Sequence, residues 1–348
     1  MPNPTVAAGY PKALLEFAVS RGANRATLLE RSHLCLDDLK NPEGRIPLTT
    51  YIALMKVGIE LCDEPALALL FGEVIKAQDI SSVGLLGETF GNLESGRALM
   101  NRYARLIVDP DDGNTADVVE FVPENGDVWL KFTSDVYRDN PLLTESALAR
   151  GVCGVRPMLA SLPGFAKMSF PKAIRFTHKE PSYRAEYDRI FGVPLFFGSH
   201  MNALLADKAF LHLSLPPPNP HLSQVLTAHA EELLKSLESS KTTRGKVEKL
   251  LTPNLHTGAA SVDMIARQLG VSRQTLFRRL KAEGITFEKV LDELRHTRAL
   301  KYLRDKKLSV NETAYLVGFS DPAAFSHAFK RWTGSSPRIY VSRSEASG

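Results

Sequence analysis

SVDMIARQLGVSRQTLFRRLKAEG, residues 261–284, carries the apolar spacing of two short helices joined by a tight turn. Ser261 stands where a helix cap is needed, and Val262, Ile265, Ala266 and Leu269 follow on one face. Gly270 turns the chain, and Ser272 caps a second helix whose Leu276 and Leu280 face inward. Arg273, Gln274, Thr275, Arg278 and Lys281 are left outward. This is the pattern of a helix-turn-helix. Its first helix braces a second whose N-terminal part enters the major groove, where Arg and Gln form bidentate bonds with base edges. One such pair is weakly specific on its own, because similar helix pairs occur in many enzymes.

The pattern recurs 48 residues later, with Gly318 standing where Gly270 stood. Ser309-Val310-Asn311-Glu312 has the form of a capping box and opens a helix through Ala314 and Val317. After the turn at Gly318, Asp321-Pro322 caps and starts the next helix. Phe319, Phe325, Phe329 and Trp332 supply the second core, with Ala323, Ser326, His327, Lys330 and Arg331 outward. FEKVLDELRHTRALKYLRDKK, between the units, contains no helix breaker and is long enough to hold them rigidly apart.

Charge points the same way. Residues 241–348 hold 20 Lys+Arg against 10 Asp+Glu, while the rest of the chain holds 23 against 29, so the excess positive charge sits at one end. A compact basic module suits a polyanionic partner. Upstream, Pro216, Pro217, Pro218 and Pro220 mark a stiff extended boundary. The following HLSQVLTAHAEELLKSLESS places Leu222, Leu226, His229, Leu233 and Leu237 at helical steps. That stripe either packs on a neighbouring domain or pairs with a second copy. SSKTTRGK then reads as a polar hinge.

The first hundred residues are read as mostly helix, in PKALLEFAVSRG, ANRATLLERS, LTTYIALMKVGIELC and EPALALLFGEVI. From Asp117 the period changes to two: DVVEFVP and DVWLKFTSD alternate around the turn Glu124–Gly126 as a β-hairpin. LTESALARGVCGVRPMLASL returns to helical spacing, KAIRFTHKE and VPLFFGS read as strands, and PSYRAEYDRIFG as a short helix between them. Phe170, Phe176 and Phe191 fit a core, with an apolar ligand pocket as the sharper alternative.

VGFSDPAAFSHAFKRWTGSSPRIY closely resembles the signature of the AraC/XylS family of bacterial transcription regulators, a likeness running over about residues 245–342. SSVGLLGETFGNLESGRALMNRY and KAIRFTHKEPSYRAEYDRIFGVPLFFGSHMNALLADKAFLHLSLPPP are similar to the arabinose-binding-like N-terminal domain of the OruR/VirS type, over about residues 20–218. The resemblance implies that the two recognition helices enter successive major grooves, with Gln274 and Arg278 in the first unit and Ala323, Ser326 and His327 in the second. It also implies effector sensing or dimerisation by the N-terminal domain, without identifying an effector or the residues that bind it. Ala323 can at most touch a thymine methyl, so the first unit should carry more of the discrimination.

Other signals are weaker. DPDDGNTADVVE imitates a calcium loop but has Asn114 where that loop requires glycine, so it reads as a solvated turn. GLLGETFG lacks the Lys-Ser/Thr of a phosphate loop. His178 beside Glu180 has no nucleophile or metal constellation and reads as a surface histidine at a strand end. Cys35, Cys62 and Cys153 lack metal-ligand spacing and read as buried thiols, and the start of the chain lacks the pattern of a targeting segment.

The expected architecture is therefore an α+β N-terminal sensing domain over residues 1–218 and a linker helix and hinge over 219–244. An all-α domain of two helix-turn-helix units joined by a long helix follows over 245–342, then a tail over 343–348. No catalytic residue, cofactor or metal is expected. The expected partners are double-stranded promoter or operator DNA, a small-molecule effector, a second copy in a homodimer, and RNA polymerase, in the bacterial cytoplasm or nucleoid and away from the membrane. An enzyme with a basic appendage would show a turnover site. A purely architectural DNA binder would need neither so large an N-terminal domain nor base-reading side chains such as Arg278.

Overall fold

A computed structural model describes residues 3–87, 89–113, 116–162, 168–213, 219–258, 260–304 and 308–345. The chain divides into two compact units, Met1–Leu234 and Lys235–Gly348.

In the first unit, helices α1 (Gly9–Ser20), α2 (Arg25–Ser32), α3 (Leu48–Cys62) and α4 (Leu67–Val74) surround a three-stranded antiparallel sheet. The order is β2 (Arg45–Pro47), β1 (Thr5–Ala7), β3 (Val108–Asp109), with Val6 opposite both Ile46 and Val108. These strands are too short to leave a period-two signature, and the sequence reading missed them. After α5 (Ser82–Leu86) and the capped α6 (Leu93–Ile107), a second sheet has the order β4-β5-β8-β6-β7. Its strands are β4 (Val119–Glu124), β5 (Asp127–Phe132), β6 (Ala173–Arg175), β7 (Leu195–Phe196) and β8 (Asn202–Asp207). The β4–β5 hairpin turns through Asn125 and Gly126, both at positive φ as a two-residue turn demands. Trp129 lies on β5 opposite Leu205, buried under the Arg175 guanidinium 4.1 Å above its ring.

Helices α7 (Asp135–Arg138), α8 (Pro141–Ala160) and α9 (Arg184–Phe191) complete this half of the unit. Phe176 and Phe191 are fully buried with Tyr187, and Phe170 is buried in the same core, where it also lines a cavity of about 260 Å³ with Arg156, Leu159, Met168 and Val193. His178 is not a surface residue: it is half-buried, its ring centre 5.1 Å from that of Phe176 and Nε2 3.3 Å from the Tyr187 hydroxyl, and desolvation holds its pKa down. The apolar ring cluster around the strand end draws it in. Cys35 corrects the reading the other way, being exposed just before a 3-10 turn at Leu36–Leu39.

Glu145 is buried on α8, where it accepts from the Tyr183 hydroxyl at 2.9 Å, and burial pushes its pKa up to about 7. The folded protein thus keeps a proton there that the unfolded chain loses near pH 4. Stability from this group is present at low pH and is lost as pH rises to about 7. Glu145→Gln should therefore raise the Tm of the first unit at pH 8 and leave it nearly unchanged at pH 4, as calorimetry across pH would show. An equal effect at both pH values would refute the buried-proton account.

Helix α10 (Pro220–Lys241) carries the division between the units, at Leu234/Lys235. Its buried row in the first unit is Leu226, Ala230 and Leu234, and Leu237 is buried beyond the division, while Leu222 is 43% exposed and His229 is exposed too. The row follows the i, i+4, i+8 line. Within the first unit Glu231 fixes it, accepting from the Arg102 guanidinium at 2.9 Å and the Tyr103 hydroxyl at 2.7 Å on α6. Pro216, Pro217 and Pro218, read as a stiff connection, lie outside the described residues, as do 346–348 of the tail. SSKTTRGK is helical except at Thr242. The Ser239 and Ser240 hydroxyls donate back to the Ser236 and Leu237 carbonyls, and Thr242 caps the next helix by accepting from Gly245 N–H at 2.9 Å.

Among the described residues the regular elements of the second unit are all helices: α11 (Thr243–Asn254), α12 (Val262–Gln268), α13 (Arg273–Ala282), α14 (Phe287–Arg304), α15 (Val310–Leu316), α16 (Pro322–Thr333) and α17 (Pro337–Glu345). Val247, Leu251, Ile265, Leu276 and Leu280 form one core with Phe287 and Val290 of α14. Ala314, Val317, Phe325 and Phe329 form another with Ala299 and Leu303 of the same helix, and Leu291 and Leu294 touch both.

Candidate nucleic-acid interface

Both helix pairs are built by the same local devices. Ser261 accepts from Met264 N–H at 3.3 Å to cap α12. At its end Gly270 takes φ +65°, and Val271 N–H donates to the Ala266 carbonyl at 3.0 Å. In the second pair the Ser309–Glu312 capping box is closed, Gly318 takes φ +83°, and Phe319 N–H donates to the Ala314 carbonyl at 3.0 Å. Each αL glycine thus satisfies carbonyls that the helix end would otherwise leave open. The turns differ by one residue: Val271 alone separates Gly270 from the cap Ser272, whereas Phe319 and Ser320 separate Gly318 from the cap Asp321.

Counting from those caps aligns the second helices of the two pairs. Ser272 accepts from Thr275 N–H at 3.1 Å, and Asp321 accepts from Ala323 and Ala324 N–H at 3.0 and 3.2 Å. Buried Leu276 then matches buried Phe325, and Leu280 matches Phe329. On the outer faces Gln274 matches Ala323, Arg278 matches His327 and Lys281 matches Lys330, all exposed. Among the described residues, no hydrogen bond or ion pair engages the Gln274, Arg278, Lys281, His327 or Lys330 side chains. They are free to meet a ligand.

The remaining sequence candidates have side chains engaged within the unit. Thr275 is half-buried, its hydroxyl 2.9 Å from that of Ser272, so it serves the cap. Arg273 is exposed but lies 3.3 Å from Asp263 and over the Phe277 ring. Ser326 donates back to the Pro322 carbonyl at 2.9 Å. Arg331 reaches Asp292 of α14 at 2.8 Å, beside Trp332, whose Nε1 donates to the same carboxylate at 3.1 Å. Arg279, exposed on α13, was passed over in the sequence reading.

What holds the two faces in place is largely on α14. Arg295 donates to the Val317 carbonyl from Nε and to the Gly318 carbonyl from a terminal nitrogen, both at 3.1 Å, with Phe319 packed 4.7 Å from its guanidinium. Burial pulls its pKa down, against the opposing pull of Asp292. Arg244 bridges α11 to α14 through Glu293 at 2.8 Å. Glu283, at the end of α13, accepts from the backbone N–H groups of Thr243 and Arg244 at 2.6 and 3.0 Å. Partial burial raises its pKa, but those N–H donors outweigh it and leave the carboxyl below its ordinary value. Arg295 and Glu283 are invisible to motif reading because their partners are backbone groups distant in sequence.

Residues 22–215 match the family described as the arabinose-binding domain of AraC transcription regulator, N-terminal, and residues 265–343 match a helix-turn-helix domain. The chain is 28% identical over 340 residues to the ornithine utilization regulator of Pseudomonas aeruginosa, covering 96% of each chain. It is also 28% identical over 177 residues to the transcriptional regulator VirS of Mycobacterium tuberculosis, covering 51% of this chain and 52% of that one. The crystal structure of the transcriptional regulator CdpR from Pseudomonas aeruginosa is 23% identical, with a TM-score of 0.35 over 80% of this chain and 87% of that one. The protein belongs to the AraC family of transcription regulators, in the group with an arabinose-binding N-terminal domain, and is a sequence-specific DNA-binding regulator.

Proposed function

We propose that α13 and α16 are the two base readers of this regulator, through Gln274 and Arg278 on one and Ala323 and His327 on the other, with Lys281 and Lys330 beside them on the phosphates. The observation that carries this reading is the coincidence of the two faces when counted from their caps, with the polar side chains unengaged. Arg273, Thr275, Ser326 and Arg331 then act at the margins, in phosphate contact or in bracing the readers. The domain limits fit this assignment, with residues 245–342 as the DNA-binding part, 219–244 as the link and 1–218 as the sensing part.

Arg278→Ala should weaken binding to the cognate site more than to random DNA, because a base-edge contact carries roughly 1–3 kcal/mol of discrimination. Lys281→Ala should weaken both about equally, as a phosphate contact does. Titrations at matched salt against cognate and scrambled duplexes decide, since the phosphate contribution alone changes affinity by orders of magnitude with salt. An unchanged specificity ratio for Arg278→Ala sinks the assignment.

The finer reading is a cytoplasmic homodimer whose first unit takes a small-molecule effector. Support comes from the match of that unit to the arabinose-binding family, and from a full-length relative named for the use of a small metabolite, ornithine. A regulator seated at a promoter also stands beside RNA polymerase, which makes the polymerase its natural further partner.

A further inference from the structure

Several half-buried arginines in this fold are bonded to it. In the first unit Arg45 donates to Thr5 and to the Leu106 carbonyl, and Arg156 to the carbonyls of Phe170, Ile190 and Phe191. Arg150 on α8 is different. Among the described residues its guanidinium makes no hydrogen bond and no ion pair, and its terminal nitrogen Nη1 is buried without a partner. Its one contact of note is the face of Tyr10, 5.0 Å from the guanidinium carbon. One turn earlier on the same helix, the Ser146 hydroxyl is also buried and unpartnered. Residues four apart share a helix face, so α8 presents two unused polar groups side by side.

The charge of Arg150 acts on the hydroxyls of three tyrosines from three other helices, Tyr10 on α1, Tyr51 on α3 and Tyr137 on α7. Tyr10 and Tyr51 are each 2% exposed; the Tyr10 hydroxyl is bonded to the Ser81 side chain, whereas neither the Tyr51 nor the Tyr137 hydroxyl is hydrogen-bonded among the described residues. Burial pushes the Tyr137 phenol up to about 12, so at neutral pH it is a donor, and burial raises the other two as well. Glu43 is the carboxylate that acts on Tyr10, and it is already engaged by the backbone N–H and hydroxyl of Ser82 at 2.9 and 2.7 Å. The result is a planar cation on the Tyr10 ring, with the Tyr51 and Tyr137 phenols within reach of its charge and no ion pair among the described residues. Such a group is costly to keep, since a buried charge without a hydrogen-bonded partner destabilises the fold. Stability alone does not account for it.

We propose that Arg150, with the hydroxyls of Tyr10, Tyr51 and Tyr137, is the recognition point for the carboxylate of a small-molecule effector. A guanidinium fork matches the two oxygens of a carboxylate, and phenol donors complete the acceptor shell. One cation with Glu43 nearby favours a monoanion over a phosphate dianion. Solvent still reaches part of the half-buried Arg150 side chain. The proposal rests on the reading of the first unit as an effector domain, but binding at the site is measured independently of any effect on DNA.

The test uses the full chain, wild type and Arg150→Met, which keeps the stem and removes the charge. Without ligand, Arg150→Met should melt at the same or a higher temperature than wild type, because it relieves an unpaired charge; a large fall in Tm would make Arg150 structural and overturn the proposal. Sodium acetate, butyrate and benzoate are then compared with their amides and with inorganic phosphate at matched ionic strength, by Tm shift and calorimetric titration. At least one carboxylate should raise the wild-type Tm where its amide does not, and Arg150→Met should weaken its binding by 10-fold or more. Tyr51→Phe should weaken it less. No carboxylate response, an equal response to amide or phosphate, or undiminished binding by Arg150→Met each overturns the assignment. A carboxylate that binds through Arg150 yet leaves DNA affinity unchanged would refute effector control while the site stands.

Discussion

Gly318→Ala should cripple the DNA-binding unit, whereas Gly270→Ala, at the equivalent turn, should be tolerated. Both glycines lie in the left-handed region, so an alanine at either position costs about 1–2 kcal/mol of backbone strain. Their surroundings differ. A Cβ at 270 would meet nothing within 4 Å, but at 318 it would fall 2.2 Å from the Leu255 carbonyl oxygen and 3.4 Å from the Arg295 guanidinium. Relieving that overlap means moving the chain at Leu255 or breaking the Arg295 clamp on the Val317 and Gly318 carbonyls. The clash adds to the strain, giving a total on the order of 3–5 kcal/mol, the range of the most damaging single substitutions. In a unit of this size each kcal/mol lowers Tm by roughly 4–8 °C, so Gly318→Ala should fall by more than about 12 °C and Gly270→Ala by less. Calorimetry of the full chain reads both, and equal losses would show that the Leu255 contact yields easily.

The second large effect is on the DNA. Helix α14 has 18 residues and spans roughly 27 Å, and both cores are anchored on it, so the readers cannot adjust their separation freely. Two rigidly spaced readers on one face of a duplex require elements one helical turn apart, about 34–36 Å. Five added base pairs between the two elements rotate one of them to the far side. Affinity should then drop on the order of 100-fold at matched salt, as the contacts of one whole reader are lost at roughly 1–3 kcal/mol per base pair. Ten added base pairs restore the face but not the distance, and they should restore little affinity. Recovery with ten would mean that α14 bends or that the two readers engage separately, and undiminished binding with five would exclude joint engagement.

Much of this molecule is legible in its residues, and the rest is hidden for identifiable reasons. The tandem helix pairs announce themselves because caps, αL glycines and apolar rows all lie within short windows, as in Ser272–Leu280. Strand β8 does not: NALLAD is buried on both faces, so its apolar residues run together instead of alternating, and leucine and alanine favour helix as readily. The stripe read on α10 runs through Leu222, Leu226, His229, Leu233 and Leu237; Leu226 and Leu237 are buried, while Ala230 and Leu234 are buried in place of Leu222 and His229. Among the candidate readers, Ser326 and Arg331 look outward by spacing alone. The structure adds what spacing does not carry: Ser326 donates to the Pro322 carbonyl and Arg331 pairs with Asp292, while the equivalence of Ala323, His327 and Lys330 to the first unit emerges only from a count from the Asp321 cap, one residue later than the glycine alignment suggests. Arg150 gave no signal at all, since nothing in its local sequence distinguishes an arginine that is bonded from one that is not.

The chain has two tryptophans, and the fold assigns one to each unit. Trp129 is sealed in the second sheet beneath Arg175, while Trp332 is half-buried on Asp292 with the His296 ring 5.4 Å away. Each unit therefore carries its own optical label. With either indole replaced by phenylalanine, emission from the other follows one unit through a denaturant titration, and whether the two melt together or in sequence becomes a matter of comparing two curves.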